Sequence, residues 1–169
     1  MSTSVKQKPL SRTRLVGFDV DGVFTDGRFY LSNDGVESKA FYTQDGFGVR
    51  QLINAGIEVA VISGRNSIAV DQRMTELGIR HVIQGCRDKL AAFDSLANSL
   101  GIENSDCVFV GDDVDDLPLL KKVGYSVAVA NAVVIVRQRC DYTTIAHGGH
   151  GAIREICDLI LTARPGSDQ

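Results

Sequence analysis

An apolar run, Leu15, Val16 and Phe18, stops abruptly at two carboxylates, Asp19 and Asp21, with Gly22 directly behind them. The run predicts a buried strand over Leu15–Val20. A carboxylate at the rim of a sheet is costly unless it has a partner. Two of them, one residue apart, require a cation, a shared proton, or both. In α/β proteins the loop beyond such a strand end is where ligands bind. The stretch V-G-F-D-V-D-G-V-F-T-D-G, Val16 to Gly27, therefore fixes one end of a buried strand and one wall of a site.

The same pattern recurs. Glu58–Ile62 reads as a buried strand that stops at Ser63-Gly64-Arg65, and Cys107–Val110 as one that stops at Gly111-Asp112-Asp113. His81–Ile83 and Ser126–Val129 are further strands, and Tyr142–Thr144 is an edge strand. Helices are expected from Gly46 to Ala55, from Ser67 to Gly78 with Val70, Met74 and Leu77 on one face, and from Lys89 to Leu100. Shorter helices are expected over Leu117–Val123 and Val133–Arg139, and a final one over Ala152–Ala163. Arg28–Leu31 and Val36–Phe41 flank Asn33-Asp34-Gly35, a strong hairpin turn signal. Strands alternating with helices imply a Rossmann-like, doubly wound parallel sheet. A β-hairpin flap joins it. The stretches between Asp21 and Ser63, and between Ser63 and Lys89, are too short for a cap domain.

The expected organisation is a loose tail over 1–13, one domain over 14–164 and a short tail over 165–169. A chain of 169 residues is long enough to close a core without staples. A net charge of −3 without a Lys/Arg run argues against a nucleic-acid surface. No apolar run approaches a membrane span, and the polar, basic N-terminus lacks the apolar core of a secretory signal. The four cysteines form no C-x-x-C pair, so reduced thiols in a cytoplasmic protein are expected.

Four strand ends or helix starts bring polar groups to one edge in this order: Asp19-x-Asp21, Ser63, Lys89, then Gly111-Asp112-Asp113-x-Asp115-Asp116. They offer a nucleophile, an acid/base, a hydroxyl, a fixed cation and carboxylates for a metal. That set suits phosphoryl transfer, where positioning and charge neutralisation do most of the catalysis. Mg²⁺ takes a few carboxylates and leaves its other positions to water and phosphate oxygens. Other signatures fail. His147 and His150 lie in a glycine loop without the helix that spaces zinc ligands. Gly46-x-Gly48 lacks the third glycine and the preceding strand of a dinucleotide site, and there is no P-loop.

The order resembles the haloacid dehalogenase superfamily of phosphohydrolases. The resemblance implies that Asp19 forms an aspartyl-phosphate and that Asp21 is the general acid and then the base. It also implies Mg²⁺ on Asp19, Asp112 and the Asp21 carbonyl. Ser63, Gly64 and Lys89 would hold phosphate, with Asp113 and Asp116 behind the metal ligands. Asp45–Arg50, I-S-G-R, G-D-D-x-x-D-x-P and Gly148–Glu155 narrow the resemblance. They point to a subgroup acting on eight- or nine-carbon keto-sugar acid phosphates, including phosphatases of lipopolysaccharide precursor synthesis, which form homotetramers. Arg50, Arg65 and His150 are candidate substrate or intersubunit contacts. His150 stands where that subgroup usually has arginine, and Asp115 where it tends to have an apolar residue. Two other classes compete. A receiver domain would place its acidic pair before the phosphoacceptor strand, and a non-catalytic oligomerisation domain would lack catalytic groups that are all present here. Between subunits, the aromatic hairpin is expected to wall the site.

Overall fold

In the computed structural model, which describes residues 10–166, the chain runs through a central sheet, a hairpin and six α-helices. β1 (Leu15–Phe18) leads into the hairpin strands β2 (Tyr30–Leu31) and β3 (Glu37–Ser38), then α1 (Thr43–Asn54) and β4 (Glu58–Ile62). Next come α2 (Ile68–Leu77), β5 (His81–Ile83), α3 (Lys89–Ser99) and β6 (Cys107–Gly111). The chain ends with α4 (Leu117–Leu120), β7 (Tyr125–Ala128), α5 (Val134–Arg137), β8 (Tyr142–Thr143) and α6 (Ala152–Thr162).

The sheet order is β5-β4-β1-β6-β7-β8, and every pairing in it is parallel. From β1 the chain steps outward through β4 to β5, then returns to the other side of β1 at β6. Right-handed crossovers place α1 and α2 on one face and α3 and α4 on the other. The contacts agree, since α1 packs on α2 and α6, and α3 packs on α4. Direction reverses between β1 and β6, and the crevice beyond their carboxyl ends is where an open parallel sheet binds ligands.

β1 is buried along its whole length, which explains its unbroken apolar reading. Gly17 is the exception in size, and its neighbours show why. A Cβ there would lie 2.7 Å from both Phe109 and Phe93, whose rings meet edge-on at 6.0 Å. α2 buries Val70, Met74 and Leu77 and ends at Gly78 with φ +78°, the left-handed geometry that glycine adopts without strain. Asp88 caps α3 by accepting from the Ala91 amide at 2.9 Å.

Several boundaries differ from the sequence expectation, three of them for a visible packing reason. α1 starts at Thr43 and runs through both Gly46 and Gly48. These glycines are packing residues: a Cβ on Gly46 would meet Arg73 at 2.5 Å, and one on Gly48 would meet Cys157 at 3.0 Å. The hairpin ladder is only two residues long on each side, because Lys39 turns inward to Asp21 just beyond it. The expected tail of residues 1–13 begins to pack before Thr13. Leu10–Arg12 form a 3₁₀ turn against α6, and Arg12 pairs with Asp106 at 3.1 Å. Residues 1–9 of that tail, and 167–169 of the C-terminal one, lie outside the described residues. No helix among the described residues is long and apolar enough to cross a membrane.

Candidate active site

The Asp19 amide still donates to the Val110 carbonyl at 3.0 Å, so β6 holds the backbone where the carboxylate leaves the sheet. The chain then turns tightly, with the amides of Val23, Phe24 and Thr25 all donating to the Val20 carbonyl. The buried Thr25 hydroxyl accepts from the amides of Gly22 and Gly27. Gly22, at φ +90°, leaves space for Asp112, whose Oδ2 would be 2.0 Å from a Cβ there. The Gly22 amide is bonded to Thr25, and the residue is small because Asp112 crosses it.

Lys89, the first residue of α3, ties the two outer motifs together. Its Nζ lies 2.9 Å from Asp19 Oδ1 and 2.7 Å from Asp116 Oδ1. Asp116 is fully buried, and its Oδ2 accepts from the amides of Asp112 and Asp113 at 3.0 and 3.3 Å. Asp116 therefore braces the loop that carries Asp112. Asp113 caps the same turn by accepting from Val114 at 2.7 Å. Asp115 is exposed at the mouth of the cleft.

Carboxylate oxygens of Asp19, Asp112 and Asp116 lie within 4.8 Å of one another. Burial and the neighbouring Asp116 raise the pKa of Asp19 to about 6, against the pull of Lys89. Burial, then Asp19 and Asp116, raise that of Asp112 to about 8. Burial works against the Lys89 charge, but Asp19 and Asp116 outweigh it and raise its pKa. One lysine does not neutralise three crowded carboxylates, so the donor set fits a hard divalent cation held by oxygen. The Asp21 carboxylate does not join that cluster; it pairs with Lys39 and faces Arg65 Nε at 3.9 Å.

All four motifs open onto one cleft of about 980 Å³, lined by Asp19, Asp21, Ser63, Gly64, Arg65, Lys89 and Asp112–Asp116 among others. Ser63 is buried at the end of β4, and its hydroxyl accepts from the Arg65 amide at 3.3 Å. Two predicted contacts lie elsewhere. Arg50 donates to the Glu76 carbonyl at 3.0 Å and does not line the cleft. His150 lines a separate recess of about 270 Å³ with Asp26, Arg28, Asn131, His147 and Gly148.

Sequence reasoning missed Lys39, Arg87, Asp45 and Asn131. Arg87 lines the cleft beside Lys89. Lys39 lies in a hairpin, where lysine ordinarily reads as solvated. Asp45, buried on α1, accepts from the Arg154 amide at 2.9 Å and so caps α6 from another helix. Asn131 follows β7 as the other polar groups follow their strands, and that signal was available. Its Nδ2 donates to the Gly22 carbonyl at 3.0 Å, and its Oδ1 accepts from the Gly148 amide at 2.6 Å.

A doubly wound sheet with an aspartate pair after its first strand, a serine, a lysine and a second acidic loop defines a haloacid dehalogenase-like hydrolase, and the sequence model of that description matches residues 82–156. The chain belongs to the 3-deoxy-D-manno-octulosonate 8-phosphate phosphatase family within that class: it is 46% identical to the Salmonella typhi phosphatase of that name over 100% of this chain and 89% of the relative. A Moraxella catarrhalis phosphatase, solved with magnesium, phosphate and KDO, superposes with a TM-score of 0.92 at 44% identity, covering 97% of this chain and 94% of that one. The cobalt-bound Haemophilus influenzae phosphatase superposes with a TM-score of 0.91 at 39% identity, covering 95% and 94%.

Proposed function

We propose that this chain hydrolyses 3-deoxy-D-manno-octulosonate 8-phosphate to the free sugar acid and phosphate. The observation that carries the chemistry is Asp19, held by Lys89 beside Asp112 at the floor of a cleft that also receives Asp21 and Ser63. The identity of the relatives supports the substrate.

In this reading an Asp19 oxygen attacks phosphorus, and the bond from phosphorus to the sugar oxygen breaks. Asp21 gives its proton to that oxygen as the alcohol leaves. Asp21 then takes a proton from water, whose oxygen attacks the aspartyl-phosphate, releasing phosphate and restoring Asp19. Ser63, the Gly64 backbone and Lys89 hold the phosphoryl oxygens. Asp19, Asp112 and the Asp21 carbonyl would hold Mg²⁺, which when bound offsets the negative charge of phosphate and carboxylates. Asp113 and Asp116 fix the Asp112 loop. Arg65 faces the leaving group.

The fold leaves the cleft open, whereas phosphoryl transfer benefits from excluding water. The hairpin presents Tyr30, Leu31 and Val36 at 69%, 66% and 62% exposure. We assign this face to subunit contacts in a homotetramer that walls the site. All four cysteines are unpaired, which supports a reducing, cytoplasmic setting.

The test is phosphate release with Mg²⁺ across eight- and nine-carbon keto-sugar acid phosphates. The eight-carbon 8-phosphate should give the highest kcat/KM, and Asp19→Asn should abolish turnover with the fold intact. Preference for a nine-carbon member would move the substrate within the subgroup. Absence of release from every member by a folded protein would leave an oligomerisation domain.

A further inference from the structure

We infer that Lys39 is a positioning residue for Asp21, so that the hairpin sets the acid/base group of the reaction. The inference rests on the proposed roles of Asp19 and Asp21.

The Lys39 side chain is only 1% exposed, although it lies on a hairpin. A buried ammonium is tolerated only when anions meet it. Its two are Asp21, bonded through Oδ1, and Glu37, whose Oε1 is 3.7 Å away. Glu37 also bonds Arg65 Nη2 at 2.8 Å, and Arg65 Nε faces Asp21 Oδ2 at 3.9 Å. Asp21, Lys39, Glu37 and Arg65 thus close a ring of alternating charge. The ring joins the aspartate loop, β3 and the loop after β4. Arg65 is further fixed by Phe29, whose ring centroid lies 4.2 Å from its guanidinium carbon.

A carboxyl that must hand a proton to a departing oxygen has to present one oxygen to it. The ring holds Oδ1 on the hairpin side through Lys39 and leaves Oδ2 on the side of Arg65, which lines the cleft. Without Lys39 the Asp21 side chain is free to turn. The phosphoryl-binding groups, Ser63 and Lys89, are not members of the ring, so their function should survive.

That separation gives the test. A poor alcohol leaving group needs protonation as it departs, and p-nitrophenolate does not. kcat/KM covers the steps up to loss of the leaving group. Lys39→Met should therefore lower kcat/KM for the sugar acid phosphate by about 10- to 100-fold, while p-nitrophenyl phosphate falls less than about 3-fold. Lys39→Arg should restore most of the loss. Glu37→Gln, which opens the ring without emptying it, should move the same ratio in the same direction and stands in if Lys39→Met does not fold. Equal losses on both substrates, or no loss on either, would overturn the inference. Asp21→Asn is the reference: it should show the same leaving-group discrimination, more strongly. If Asp21→Asn fails to discriminate, the acid/base role of Asp21 is wrong. If it discriminates and Lys39→Met does not, only the role of Lys39 falls.

Discussion

At the scale of single residues, the most demanding contact in the molecule is between two loops that have no side chain at their meeting point. A Cβ on Gly148 would lie 1.8 Å from the Gly22 carbonyl oxygen, and one on Gly149 would lie 2.7 Å from the Asp26 amide. The Gly149 amide donates to the Val23 carbonyl at 3.1 Å, and Asn131 clamps the pair. Gly148→Ala must therefore displace the loop that carries Asp19 and Asp21. We expect activity to fall at least about 10-fold with far-UV circular dichroism unchanged, because a misplacement near 1 Å costs on the order of 10²-fold in a positioned reaction. Full activity in this variant would show that the loop yields freely. The strand-end carboxylates were legible because each follows an apolar run. The clamp was not, because Asn131 and Gly22 are 109 positions apart and neither residue type announces a partner.

Between elements, the pairing of α1 with α6 rests on an interaction the sequence does not display. The residue before α6 is Gly151, which has no side chain to cap the helix, and Asp45 reaches across from α1 to accept from Arg154. Burial is the first cause of an Asp45 pKa raised to about 6, with the amides of Arg154 and Gly151 pulling the other way. The sign follows directly. The folded state binds this proton more tightly than the unfolded chain, whose group titrates near 3.8. The Asp45 contribution is therefore most favourable below pH 4 and weakens as pH rises to about 6. Asp45→Asn keeps an acceptor for Arg154 and removes the charge. Its stability minus that of the wild type, from urea unfolding, should rise across this window by up to about 3 kcal/mol. A difference flat with pH would mean that Asp45 titrates alike in both states. Element types were readable from periodicity, since Val70, Met74 and Leu77 line one face of α2 as spaced. The start of α1 was less so: it was expected at Gly46, whereas the helix begins at Thr43, and Gly46 and Gly48 within it lie under Arg73 of α2 and Cys157 of α6.

For the whole molecule, the exposed hairpin is the feature out of balance. A two-stranded ribbon is marginal alone, and exposed apolar surface on it marks a contact site. Tyr30→Lys with Leu31→Lys should shift the assembly towards monomer in sedimentation velocity and lower kcat/KM together with it. A wild-type monomer with full activity would remove both the tetramer and its role in closing the cleft. The parallel sheet and its switch point were legible from the order of apolar runs. The hairpin face was legible only as aromatic content, since a ladder of two residue pairs carries too little alternation to read.

The clamp also has a consequence for synthesis. The Asp19–Asp21 loop leaves the ribosome early, but the groups that fix it, Asn131 and Gly148, lie in about the last quarter of the described chain and emerge after β7 is made. Chain growth therefore delivers the reactive aspartates long before it delivers their registration, and a nascent or 3′-truncated product should contain the sheet's central strands without a working centre. The centre is registered only once the chain through Gly148 has been made.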